Sequence, residues 1–473
     1  MTENSGNTKL KHEFGLLDGT MLVAGSMIGS GIFIVAADII RNVGSSGWLI
    51  AVWLITGFMT ITAAVSYGEL SAMFPKAGGQ YVYLKESYNK LVAFLYGWSF
   101  FAVIQTGTIA AVGVAFSKFL AYLIPAVSED NIVFSAGSFH ISAAQCVSIA
   151  LIVFLTSINT RGVKTGKLIQ NTFTITKLAS LFGLILFGFI FIKGDIWHAN
   201  WTNAWNMHKL NPDNSVSSLT MAAALGAIAA SMVGSIFSSD AWNSVTFIAG
   251  EMKNPQRNVG LSLFLGTLIV TIIYVSMNVV YTGVLPLHDI ATAPKDRVAV
   301  EASKVIFGNV GTIIIALMIM ISTFGCNNGL IMSGARVYYT MAKDGVFFKR
   351  TGDLNKHSVP GFGLWIQCAL ACVLCLSGKY GDLLDMISFV VVIFYVLTIL
   401  GIYILRVKRP EAERPYKAFG YPVLPAIYIL MGLVFCVMLI IYKPNFTWPG
   451  LIIVLIGIPI YYISQRKQVD EAN

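Results

Sequence analysis

The chain has 473 residues, of which 56% are hydrophobic and only 12% charged, with a formal net charge of +9. Soluble domains carry about 25% charged residues, whereas the apolar blocks here reach the roughly 20 residues that a helix needs to cross a bilayer. A soluble globular protein is excluded, and the positive charge is assigned to basic loops on the inner side of a membrane rather than to a nucleic-acid partner.

Taken in order, the chain opens with a polar tail, 1–14, that lacks a small-residue cleavage site, so no removed signal peptide is expected. Twelve spans then follow, at 15–37, 47–73, 91–124, 141–158, 166–192, 218–249, 259–285, 305–340, 361–378, 382–406, 420–442 and 447–465. With the N-terminus inside, the inner segments hold 22 of the 32 basic residues, the outer loops hold eight, and Lys118 and Lys177 fall within spans. That bias places both termini, including the tail 466–473, in the cytoplasm of a cell whose plasma membrane the chain crosses.

The first span carries "GSMIGSGIF" at 25–33, with three glycines and two serines in its first seven residues. Gly25 and Gly29 alone fit a packing seam of small residues. Ser30 and Gly31 extend the weak stretch over more than one helix face, which points to a broken helix. Secondary transporters built from repeats break corresponding helices at the membrane midplane. In a five-helix repeat the partner break falls in the sixth span, and "GSIFSSDAWN" at 234–243 supplies it, with Asp240 costing about 2.5–3.5 kcal/mol on insertion scales. A helix N-terminus at such a break suits a carboxylate, and freed carbonyls suit an ammonium. Together they suit a zwitterionic amino acid.

Other features read more plainly. Lys118 lies toward a span end, where its amine reaches the interface. Glu69 and Glu251 sit at inner helix ends and are expected in salt bridges. Trp197, Trp201 and Trp205, in the long outer loop 193–217, fit an interfacial aromatic belt. The six cysteines lie in apolar segments. Cys368, Cys372 and Cys375 share a helix face, read as buried filler rather than a zinc site. No metal or cofactor is expected. A membrane enzyme would show clustered His, Glu or Ser–Lys groups at the midplane, where only Asp240 and Lys177 sit deep. A nutrient sensor that never transports is the other disfavoured class.

The chain resembles the amino acid–polyamine–organocation (APC) transporter superfamily, close to its L-amino acid transporter branch. The resemblance rests on "GSMIGSGIF", "YGELSAMFPKAGGQYVYLKESY" at 67–88, "SSDAWNSVTFIAGEMKNPQRNV" at 238–259, "GARVYYTMAKDG" at 334–345 and "RPYKAFGYPVLP" at 414–425. It implies an all-α polytopic fold of twelve transmembrane helices. Helices 1–5 (15–192) and 6–10 (218–406) form a 5+5 inverted repeat with broken helices 1 and 6, followed by helices 11 and 12 (420–465). It also implies that the substrate carboxylate meets the amides of Gly29, Ser30 and Gly31. The carbonyls of Met27, Phe237 and Asp240 would take the amino group. Phe237 matches an aromatic gate, and Trp242 and Asn243 match a "GWN" motif whose glycine is Ala241 here. Asp240 either contacts the substrate side chain or bonds within the unwound segment. Lys177 matches a lysine that replaces a sodium ion, which implies sodium-independent exchange of amino acids. Proton-coupled symport and polyamine or amine antiport remain the alternatives. The loop after the third span has no cysteine, so no disulfide-linked heavy chain is expected and a stand-alone bacterial permease is implied.

Overall fold

Among the described residues of the computed structural model, eight helices are long and apolar enough to span a membrane. The structure describes residues 12–137, 139–210, 215–377 and 380–472. A broken pair, Leu16–Met27 (α1) and Gly31–Val43 (α2), bent by 42°, makes a further span, and three shorter apolar helices bring the described apolar segments to the twelve read from the sequence. The chain continues through α3 (Ser46–Met73), α4 (Gln80–Ser87), and α5 (Lys90–Ser99) joined by a π-helical turn to α6 (Gln105–Leu123). Then come α7 (Ala143–Asn159), α8 (Val163–Ile190), α9 (Gly194–Trp201), α10 (Met221–Ser238) and α11 (Ser244–Phe247). The second half holds α12 (Pro255–Val284), α13 (Leu287–Ala291) and α14 (Val298–Lys343), which is interrupted at Gly308, whose φ of 68° favours glycine. The last elements are α15 (Gly361–Ser377), α16 (Tyr380–Lys408), α17 (Val423–Tyr442) and α18 (Pro444–Ala472).

Several boundaries differ from the sequence reading, three of them as follows. The first span runs on to Val43, because α2 keeps an apolar buried face beyond residue 37. The sixth span ends as a helix at Ser238, so the expected helix to 249 is instead an irregular stretch, the short α11 and a 3-10 turn at Ala249–Glu251. The tail 466–473 is helical as far as Ala472, continuing α18. Two small antiparallel hairpins, β1 (Ile132–Ala136) with β2 (Phe139–Ser142) and β3 (His208–Leu210) with β4 (Val216–Ser218), interrupt the all-α plan in the loops after α6 and α9.

The two faces are closed by different chemistry. At the face bearing the chain ends, Arg336 Nε and Nη2 donate to Glu251 at 2.8 and 3.3 Å, with both side chains almost fully buried. The amides of Glu13 and Phe14 donate to the Glu251 carbonyl, and Lys253 donates back to Phe14, tying the chain start beneath this pair. Glu69 accepts from Arg406 at 3.0 and 2.7 Å and from the Ala418 amide at 2.7 Å, while Arg414 lies 3.3 Å away. Both glutamates thus stand in salt bridges.

On the opposite face the tryptophan loop is docked on the segment that joins α2 and α3. Gly47 donates to the Ala204 carbonyl, Ser45 Oγ bonds the same oxygen, and Ser46 Oγ donates to Asn200. Trp48 and Trp205 meet edge to face at 6.0 Å. Nearby, Arg41 bonds Asp296 at 2.7 Å, and Lys295 bonds Glu129 and Asp130. The Ser128 hydroxyl and then Lys295 hold the Asp130 carboxyl below the usual carboxylate range. The six cysteines are all free thiols.

The Glu251–Arg336 pair sets a stability test. Removing one member of a buried pair leaves an uncompensated charge, at a cost of about 3–5 kcal/mol. Arg336→Met is expected to lower the unfolding temperature of the detergent-purified protein sharply, and Glu251→Leu in the same chain to recover most of it. A double variant as unstable as the single one would show that the pair is not what holds this face.

Candidate functional site

Why the first span breaks is visible in its neighbours. Ile28, at φ −76° and ψ 90°, takes the chain off α1, and the Gly29 amide donates to the Met27 carbonyl at 2.9 Å, closing a tight turn. Gly25, Gly29 and Gly31 do not adopt the left-handed conformation. Two of them serve close approach. A Cβ on Gly25 would fall 2.2 Å from Gln170 Nε2 and Thr174 Oγ1 of α8, and one on Gly31 would fall 1.8 Å from Ser238 Oγ of α10. Gly29 has more room, since a Cβ there would lie 3.4 Å from Cys326 Sγ. The packing seam and the broken helix are therefore both present, at Gly25 and at residues 28–30.

Breaking a helix at depth strands carbonyls at the end of α1, where the helix dipole is also negative. Lys177, on α8 and 1% exposed, answers both needs. Its Nζ donates to the carbonyls of Gly25 at 2.6 Å, Ile28 at 2.7 Å and Ser322 at 3.3 Å, using the three donors of an ammonium. Ser322 Oγ donates to Ile28 and Gly29 at 3.0 and 3.1 Å, and Cys326 Sγ to Ser26 at 2.9 Å, so α14 completes the brace.

The second break follows from α10. Its last turn closes by Ser239 donating to Ser235 and Asp240 to Phe237. Ala241 then sits at φ 62°, in the left-handed region that costs a residue with a Cβ about 1–2 kcal/mol. That is the physical reason a glycine suits this place in the resembling motif. Asn243 Nδ2 donates to Gln80 at 3.0 Å, and Gln80 Nε2 to Thr398 at 3.0 Å, fixing the start of α11 to α4 and α16. One side chain joins the two breaks. The Tyr274 hydroxyl of α12 lies 3.0 Å from the Met27 carbonyl and 2.8 Å from that of Ser238.

Between the breaks is a small space lined by Met27, Gly29, Ser30, Gly31, Phe237 and Asp240, with Ser26, Thr108, Val112, Ser238, Ala241 and Cys326 completing it. Six of the eight expected substrate residues converge here. Trp242 and Asn243 do not: Trp242 packs between Tyr67 and Tyr395, at 4.7 and 5.1 Å, and Asn243 faces a neighbouring cavity. Asp240 Oδ1 accepts from Tyr395 of α16 at 2.5 Å, and the carboxylate also takes a backbone hydrogen bond from Ala241 within the unwound segment. The arrangement sets the amide end of α2 opposite the carbonyl ends of α1 and α10 around one small space.

A profile described as "Amino acid permease" matches residues 14–463. The chain belongs to the amino acid permease family. It is 28% identical to the b(0,+)-type amino acid transporter 1 of Homo sapiens, over 96% of this chain and 88% of that protein. It is 29% identical to the serine/threonine exchanger SteT of Bacillus subtilis, over 99% of this chain and all of that one. Against the large neutral amino acids transporter small subunit 2 of Homo sapiens it is 28% identical, over 97% and 81% of the two chains. This permease is thus a multi-pass membrane transporter of that family and not an enzyme.

Sequence reasoning reached the breaks and Lys177 but missed Tyr274, Ser322, Gln80 and Tyr395. Tyr274, Ser322 and Tyr395 are polar residues in apolar runs, and Gln80 follows the Gly78–Gly79 turn. The close approach at Gly31 yields a test. Gly31→Val drives a side chain into Ser238 of α10 and is expected to abolish transport in vesicles while the protein still inserts and purifies. Ser30→Ala leaves the backbone amides in place and should keep at least about half the wild-type rate. Normal transport by Gly31→Val would move the site elsewhere.

Proposed function

We propose that this permease carries amino acids across the plasma membrane by alternating access, in sodium-independent exchange, as a stand-alone protein with both termini in the cytoplasm. The observation that carries the reading is the cavity at which both broken helices meet. The first amides of α2 lack intrahelical partners and face the place of a carboxylate. The carbonyl ends of α1 and α10 carry the opposite dipole and suit an ammonium. In this reading Gly29, Ser30 and Gly31 hold the carboxylate. The Gly29 amide leaves its turn with Met27 to do so. Met27, Phe237 and Asp240 offer carbonyls to the amine, each with a second lone pair.

The two repeats, 15–192 and 218–406, would move about this site, with 420–465 outside them. Trp242 and Asn243 act on the site through the backbone of the second break, and Phe237 stands over it as the gate. Lys177 supports sodium independence, because its ammonium already occupies the point where the carbonyls of Gly25 and Ile28 converge. The same lysine is the reason to retain proton-coupled uptake as the second reading. The excess of basic residues on the face of the chain ends supports the orientation. The loop after α6 carries no cysteine to link a heavy chain.

Counterflow in proteoliposomes, run with each of the twenty amino acids as label, checks the mechanism. Exchange predicts label accumulation only when unlabelled substrate is preloaded, and no change when potassium replaces sodium. Equal uptake by empty vesicles that grows with an inward proton gradient would favour proton coupling. A sodium requirement would contradict the role given to Lys177.

A further inference from the structure

Two helices climb from the space between the breaks to the face opposite the chain ends. They are α2, from Gly31 to Arg41, and α6, from Thr108 to Lys118, each ten residues and so about 15 Å of rise. The turn 294–297, which leads into α14, ties those two ends together. Asp296 accepts from Arg41 of α2 at 2.7 Å, and Lys295 meets Glu129 and Asp130, in the loop after α6, at 3.3 Å each. Arg297 donates to the Lys118 carbonyl of α6 at 2.8 Å and lies 5.4 Å from the Tyr122 ring. Arg41 also donates to the Ala291 carbonyl at 2.9 Å, with Asp38 of its own helix 3.6 Å away. Lys295 and Asp296 hold φ of 54° and 60°, the left-handed region that a Cβ disfavours. Two adjacent residues so placed store strain, which favours leaving the turn once its contacts loosen.

The two faces differ in how far solvent reaches their ion pairs. The side chains of Arg336 and Glu251 are at most 1% exposed, whereas those of Arg41, Asp296, Lys295, Glu129 and Asp130 are 37–77% exposed. Salt screens ion pairs that water reaches, and buried ones far less. We propose that the turn 294–297 is an ionic clasp over the substrate path, loosened by dissolved salt, so that ionic strength sets how often the space between the breaks opens to this face. The proposal rests on alternating access and adds what controls one of the two gates. A path between α2 and α6 cannot open while one turn holds the far ends of both helices. Opening therefore separates the turn from one of them, and the separated contacts include half-exposed charges in either case. Screening does not distinguish sodium from potassium, so the effect is separate from any ion coupling.

The test reads Cys326, a thiol on the wall of that space, in the protein held in lipid nanodiscs without substrate. Iodoacetamide, which is uncharged, alkylates it when a path opens, and mass spectrometry of its peptide separates it from the other five cysteines. Raising potassium chloride from about 10 to about 150 mM shortens the screening length from about 30 to about 8 Å. Labelling is expected to speed up about 2- to 5-fold, the range for exposed ion pairs, and equally with sodium chloride. Arg41→Gln and Lys295→Gln should each label about 2- to 5-fold faster than wild type at low salt and lose at least about half of the salt effect, whereas Arg41→Lys keeps it. General loosening of the fold would raise labelling at both salt levels and leave the salt effect in place. Where labelling is too slow to follow, initial counterflow rates in proteoliposomes read the same ratios. A wild-type rate indifferent to salt, a response to sodium alone, or glutamine variants with the full salt effect overturns the clasp. Labelling needs no transport, so that failure leaves the transport reading standing, whereas absence of counterflow for all twenty amino acids overturns the latter.

Discussion

A helix that stops in the middle of a membrane leaves carbonyl oxygens where no water can reach them, and each would cost several kcal/mol unpaired. The end of α1 resolves this with one ammonium. Lys177 reaches in from α8, bonds Gly25 and Ile28, and ties them to Ser322 of α14. The charge also opposes the negative end of the α1 dipole. With those oxygens satisfied, the chain can leave the helix at Ile28 and restart at Gly31, which presents the first amides of α2 to an enclosed space. The rest of the site depends on that restart.

Close approach then brings the second break alongside the first. Gly31 lets α2 lie against Ser238, so the amide end of one half-helix faces the carbonyl end of another, and Tyr274 bonds both broken ends at once. The halves are unequal. After its break the first span continues for 13 residues, whereas α11 has only four. The shorter element is fixed from outside, through Asn243, Gln80 and Thr398, just after Ala241 takes its positive φ.

Much of this was legible in the sequence, for reasons that are local. Apolar length sets the twelve spans, and glycine and serine clustered inside an apolar run mark both breaks. A lysine deep in a span has to find carbonyls, and it did. What could not be read is whatever depends on which helices meet. Tyr274, Ser322 and Tyr395 look like ordinary span residues until α12, α14 and α16 are packed around the breaks. The glycines show the same limit. Sequence reads Gly25 and Gly29 as fit for a packing seam and Gly31 as part of the weak stretch, while the packed helices use Gly25 and Gly31 for contact and bend the chain at Ile28. The docking of the tryptophan loop on Ser45, Ser46 and Gly47 is a contact between segments about 150 residues apart that no periodicity encodes.

Everything proposed for the two broken helices turns on where an amino acid binds. An experimental structure of the protein with an exchanged amino acid would settle it. The carboxylate is predicted within hydrogen-bond distance of the Gly31 amide, with the amine toward the carbonyls of Met27 and Phe237 and Lys177 Nζ still on Gly25 and Ile28. An amino acid bound in contact with neither broken helix, or with its carboxylate on Lys177, would contradict it.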